Sequence, residues 1–118
     1  MANVDSSVPS TQPVDTDELL SDLRAELDDV DEQLRENLRR RLEVVAEVGR
    51  LKREHRIPVM QNDRVDAVTR GARRFAERHD LNPDFFAELY GAIIAEACRI
   101  EDEVVAETER ADAERADV

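Results

Sequence analysis

The sequence predicts an all-α fold of one long helix and two shorter ones. Two observations carry this. Apolar residues recur at three- and four-residue spacing over most of the chain, which is the period of a helix face. Only three glycines and four prolines occur in 118 residues, too few turn formers for a sandwich or a barrel.

The long helix comes first. Thr16 precedes the acidic pair Asp17 and Glu18, a combination that favours a helix start. Leu20, Leu23, Leu27, Val30, Leu34, Leu38, Val45, Val48 and Leu51 then keep a helical stripe from about Asp17 to Arg53. No proline interrupts it, and Gly49 is the one weak helix former near its end. At 1.5 Å per residue such a helix is about 55 Å long. Two shorter helices cannot cover a stripe of that length, so a second chain is expected to do so.

Pro58 biases Ile57 away from helix and marks a loop over His55–Met60. Asn62 is the expected cap of a second helix, about Asp63 to Arg78, with Val65, Val68, Ala72 and Phe75 inward. After a loop over His79–Pro83, Asn82 caps and Pro83 sits at the first position of a third helix that runs to about Thr108. Its stripe is Phe86, Leu89, Tyr90, Ile93, Ile94, Ala97, Ile100 and Val104. The domain is therefore expected at 17–108. Residues 1–16, rich in Ser, Thr, Pro and Asp, read as a disordered tail, and 109–118 as a polar tail.

Composition removes whole classes of function. A net charge of −12 repels nucleic acid and anionic membranes. Four aromatic side chains and no tryptophan make no base-stacking surface. No apolar run approaches the ~20 residues of a membrane span, and no secretory signal is visible. Cys98 alone forms no internal disulfide and no cysteine-based zinc site, and a cytoplasmic thiol is expected. With two histidines and one cysteine there is no ligand cluster, so neither metal nor cofactor is expected. The 17 basic residues are 16 arginines and one lysine, Lys52, a bias that suits a high-GC actinomycete genome or a halophile.

Charges fall where a core stripe should be apolar. Arg41, Val45, Val48 and Lys52 follow i, i+4, i+7, i+11 spacing and share one face. The cations can be solvated or can snorkel over the core. Buried, they need anionic partners, and the stripe near Arg41 offers no carboxylate, which points to an anionic ligand. Arg41 and Lys52 stand about 16 Å apart along the axis, close enough for two long side chains to grip a small molecule. Arg24 stands about 25 Å from Arg41 and reaches that ligand only from a second chain in an antiparallel two-fold dimer. The spacing thus suggests a site for a small dianion built by both chains. On the third helix Glu101 faces the bundle. It is open to two readings, an ion pair with a nearby arginine or a carboxyl group of the site.

These residues carry a family resemblance. Leu23-Arg24, Asp31, Leu34, Arg41, Val48-Gly49, Lys52, Pro58 and Arg64, followed by Leu89-Tyr90 and Ile93-Ile94, resemble the all-helical (AroQ-type) chorismate mutases over about residues 17–107. The resemblance implies an intertwined homodimer with two sites shared between subunits. It implies that Arg41 and the other subunit's Arg24 hold substrate carboxylates, which suits the bidentate guanidinium. Lys52 would donate to the ether oxygen whose bond breaks. Glu101 matches a Gln-or-Glu position opposite that lysine, and Arg64 lines the pocket at the start of the second helix. Gln61 and Val65 stand where many members have acidic residues near the substrate's C4 hydroxyl, and Ala97 stands where a hydroxyl side chain assists a carboxylate.

Met60-Gln61, Arg64-Val65, Glu96 and Cys98-Arg99-Ile100-Glu101-Asp102 are similar to a subgroup, the actinomycete 4-amino-4-deoxychorismate mutases of antibiotic biosynthesis. The implied reaction is a [3,3]-sigmatropic rearrangement, which needs no nucleophile, metal or cofactor. Two alternatives remain: an isochorismate-pyruvate lyase on the same scaffold, and a non-enzymatic helical dimerisation module.

Overall fold

The computed structural model describes residues 14–116, and these form three helices: α1 (Thr16–Glu54), α2 (Asn62–Arg78) and α3 (Pro83–Ala116). The all-α expectation and the order of one long helix before two others hold. The expected N-terminal tail lies mostly outside the described residues. The chain divides into two units after Leu38.

The first unit holds the N-terminal part of α1. Asp15, not Thr16, caps it: Asp15 Oδ1 accepts from the backbone N–H of Asp17 at 3.1 Å and of Glu18 at 3.4 Å. Leu19, Leu23, Leu27, Val30 and Leu34 are each more than half exposed.

The second unit holds the rest of α1 with α2 and α3. α1 ends in a Schellman motif, with Arg56 in the left-handed region at φ 56°. Ile57 N–H donates to the Lys52 carbonyl at 2.8 Å and Arg56 N–H to the Arg53 carbonyl at 3.4 Å. α2 ends the same way at Asp80, φ 55°, with Leu81 N–H on the Ala76 carbonyl at 2.8 Å. Neither turn uses a glycine, so the glycine signal for a helix end is missing from both. At the start of α2 the expected Asn62 cap is corrected. Asn62 is already helical, and Gln61 takes the cap position in extended conformation with no side-chain cap bond. Asn82 does cap α3, its Oδ1 accepting from Asp84 N–H at 2.9 Å and Phe85 N–H at 3.4 Å.

α2 and α3 pack along each other through small residues. Ala72, Ala76 and Ala97 are buried. Phe75 and Phe86 stack at 5.8 Å between ring centroids, and Arg73 pairs with Asp84 at 2.9 Å. Phe75 and Leu89, expected inward, remain 44% and 39% exposed, because α2 and α3 alone do not enclose them. α3 also runs past the expected end at Thr108 to Ala116. Asp112 there pairs with Arg53 of α1 and, at 2.9 Å, with Arg115. No described helix is long and apolar enough to cross a membrane.

Candidate active site

One cavity in the second unit, about 440 Å³, is gathered by all three helices. That volume falls in the usual small-molecule range of roughly 300–1,000 Å³. The shared helix face read from spacing is its α1 wall, since Arg41, Val45, Val48 and Lys52 all line it. Gln61, Arg64 and Val65 line it from the start of α2, and Ala97 and Glu101 from α3. Val44, Val59, Val68, Ile94 and Cys98 complete the wall.

Polar groups are few and placed against apolar walls. Arg41 Nη1 is buried and has no hydrogen-bond partner. Lys52 Nζ donates to the Val59 carbonyl at 2.8 Å and lies 2.8 Å from Glu101 Oε1. Both side chains of that ion pair are nearly buried, at 13% and 7% exposure. The Glu101 oxygen accepts no aligned hydrogen bond, so the pair is held by charge rather than by bond direction. Glu101 thus combines both readings: it pairs with a cation, Lys52 rather than an arginine, and it stands on the cavity wall opposite that lysine. Among the described residues Glu101 is the only acidic one on the cavity wall, beside Arg41, Lys52 and Arg64. With Lys52 and Glu101 offsetting each other, two guanidinium charges remain to meet an anion.

Arg24 is not among the lining residues. Its side chain is 54% exposed and pairs with Asp17 at 2.8 Å. The Val59 carbonyl was not foreseen. A main-chain acceptor leaves no residue-type signal, although Pro58 does mark the loop that carries it.

Comparison with known proteins agrees with this geometry. The family model for chorismate mutase type II matches residues 23–102. A 4-amino-4-deoxychorismate mutase of Streptomyces pristinaespiralis is 39% identical over 103 residues, covering 87% of this chain and 80% of the relative. One from Streptomyces venezuelae is 43% identical over 86 residues, covering 73% and 84%. The T-protein of Haemophilus influenzae is 31% identical over 80 residues, which is 68% of this chain and 21% of that protein. Because the matched stretch contains every residue that lines the cavity, fold, site and sequence lead to one conclusion: the chain belongs to the chorismate mutase type II family and is an isomerase.

Proposed function

We propose that the chain rearranges 4-amino-4-deoxychorismate to 4-amino-4-deoxyprephenate in the Arg41–Lys52–Glu101 cavity, as a homodimer. The observation that carries the site is the unpartnered, buried Arg41 Nη1. A buried guanidinium nitrogen without an acceptor is costly, and a substrate carboxylate supplies the acceptor with charge-assisted geometry.

The reaction breaks the ether C–O bond and forms a C–C bond within one molecule, with no proton taken up or lost. The protein therefore has two tasks. Arg41 and Arg64, with Arg24 from a second copy, hold the carboxylates so that the enolpyruvyl arm folds over the ring. Lys52 then stabilises charge developing on the ether oxygen. Its ammonium has three donors. The Val59 carbonyl takes one of them, Glu101 draws the ammonium by charge, and a donor direction is left for the ether oxygen. A second copy also gives the exposed Leu19–Leu34 stripe an apolar cover.

The amino substrate is preferred because two relatives at 39% and 43% identity are named for it. The wall supports it less directly. Gln61 and Val65 carry no charge there, and the Gln61 amide oxygen accepts from an amine or a hydroxyl alike.

Purified protein supplied separately with chorismate, its 4-amino analogue and isochorismate tests the reading. Rearrangement with higher kcat/KM on the amino compound supports it. Preference for chorismate overturns the substrate assignment. Release of pyruvate and salicylate from isochorismate, with no rearrangement, establishes the lyase instead.

A further inference from the structure

We propose that Gly49 is a positioning residue whose missing side chain sets the spacing of Lys52 against Glu101. The inference deepens the mutase reading and rests on it. Gly49 is buried at the point where α1 meets α3. A Cβ built there would lie 3.2 Å from Glu101 Cα, 3.4 Å from Glu101 Cγ and 3.4 Å from Val104 Cβ. The tightest of these contacts is with helix backbone, which no rotamer change relieves. α3 would have to move by a few tenths of an ångström at Glu101 itself.

The rest follows from helix register. Lys52 is three residues after Gly49, one turn on and on the same face. Its Nζ lies 2.8 Å from Glu101 Oε1. The backbone of α1 thus touches α3 at the residue whose carboxylate the next turn of α1 grips. Any bulk at position 49 lifts Glu101 away from Lys52 and turns the ammonium toward the Val59 carbonyl alone. Helix propensity argues the other way, because alanine suits a helix interior better than glycine. The other helical glycines make a useful contrast: Cβ atoms at Gly71 and Gly91 would meet nothing within 4 Å. Only Gly49 is required by a close approach.

The chain's single lysine makes the test direct. Lysine labelled with 15N gives one side-chain Nζ resonance, which needs no assignment. In Gly49→Ala that resonance is expected to move and its ammonium protons to exchange with water roughly tenfold faster. Turnover should fall roughly tenfold with KM within about twofold, because the arginines that bind the carboxylates are untouched. Gly71→Ala, the open-space control, should leave both readouts as in the wild type. Where Gly49→Ala precipitates, Val104→Ile crowds the same crossing from α3 and should shift the same resonance. An unmoved Nζ resonance in a folded variant overturns the proposal. So does a moved resonance with unchanged kcat in an active enzyme. If the wild type rearranges neither chorismate nor its amino analogue, the mutase reading fails, and the Nζ signal alone then decides whether Gly49 sets the pair.

Discussion

Lys52 Nζ stands 2.8 Å from Glu101 Oε1 across the α1–α3 crossing, and the same nitrogen donates to the Val59 carbonyl at 2.8 Å. The ammonium is thereby fixed from two sides, by a hydrogen bond on one and by charge on the other. A guanidinium has neither the size nor the shape for that position. Lys52→Arg is expected to lower turnover roughly 100-fold or more, the scale of losing one preorganised donor, while circular dichroism stays helical. Near-normal turnover would remove Lys52 from the mechanism.

Glu101→Gln separates two roles of the carboxyl group. The carboxylate of the ion pair offsets the Lys52 charge and can only accept, whereas the amide keeps the size, loses the charge and can donate. If Glu101 acts by holding Lys52, turnover of the variant should fall. Turnover at or above that of the wild type would show that a donor at position 101 serves the ether oxygen.

Arg24 and Arg41 test the shared site. Each Ala variant should lose most activity as a homodimer. Unfolded together and refolded, they form mixed dimers in which one site has both arginines and the other has neither. Activity should recover in part. Confirmed heterodimers without recovery would mean that each site is built within one subunit.

Arg56 pays a conformational penalty at φ 56° that glycine does not. Its N–H and that of Ile57 bond to carbonyls of α1, and both bonds survive substitution. Arg56→Gly is expected to stabilise the fold by about 0.5–1 kcal/mol, the scale of a left-handed residue relieved of its Cβ. Chemical denaturation checks it, and a loss of stability of that size would show that the arginine side chain compensates.

Glu96 gives stability a weak pH dependence of known sign. Its hydrogen bonds from Arg99, the larger cause, and the guanidinium charge lower its pKa from 4.5. A carboxyl with a lowered folded-state pKa adds stability above its unfolded pKa. That contribution is lost as pH falls below 4.5 and through the lowered value. The pair is exposed, so the effect should be small and should vanish in high salt. Comparing acid unfolding of the wild type and Glu96→Gln, at low and at high salt, measures it.

The α1 wall of the cavity was legible because it is a single-helix property. Arg41, Val45, Val48 and Lys52 need only a helical period to be placed on one face. Relationships between elements were less so. The sequence marks the end of α3 too early because an alanine-and-charge run looks the same whether frayed or held. What engages it is Arg53, 59 residues away from Asp112. Periodicity turns Glu101 toward the bundle but leaves its partner open, an arginine or the site, and only the resemblance sets it opposite Lys52. Periodicity gives a side chain's direction and not the identity of what stands across from it. Both helix ends with left-handed residues were invisible, since Arg56 and Asp80 occupy positions where glycine is the usual sign.

The bond from Lys52 to the Val59 carbonyl ties chemistry to chain length. Main-chain oxygen persists through every substitution at position 59, so no change of residue type there deletes the acceptor. Only a change in the number of residues between Arg56 and Val59 moves it. The segment is therefore tolerant of composition and intolerant of insertion or deletion. Among relatives of this chain, a shift of one residue in that interval should mark loss of the lysine's anchor more reliably than any difference in the residues themselves.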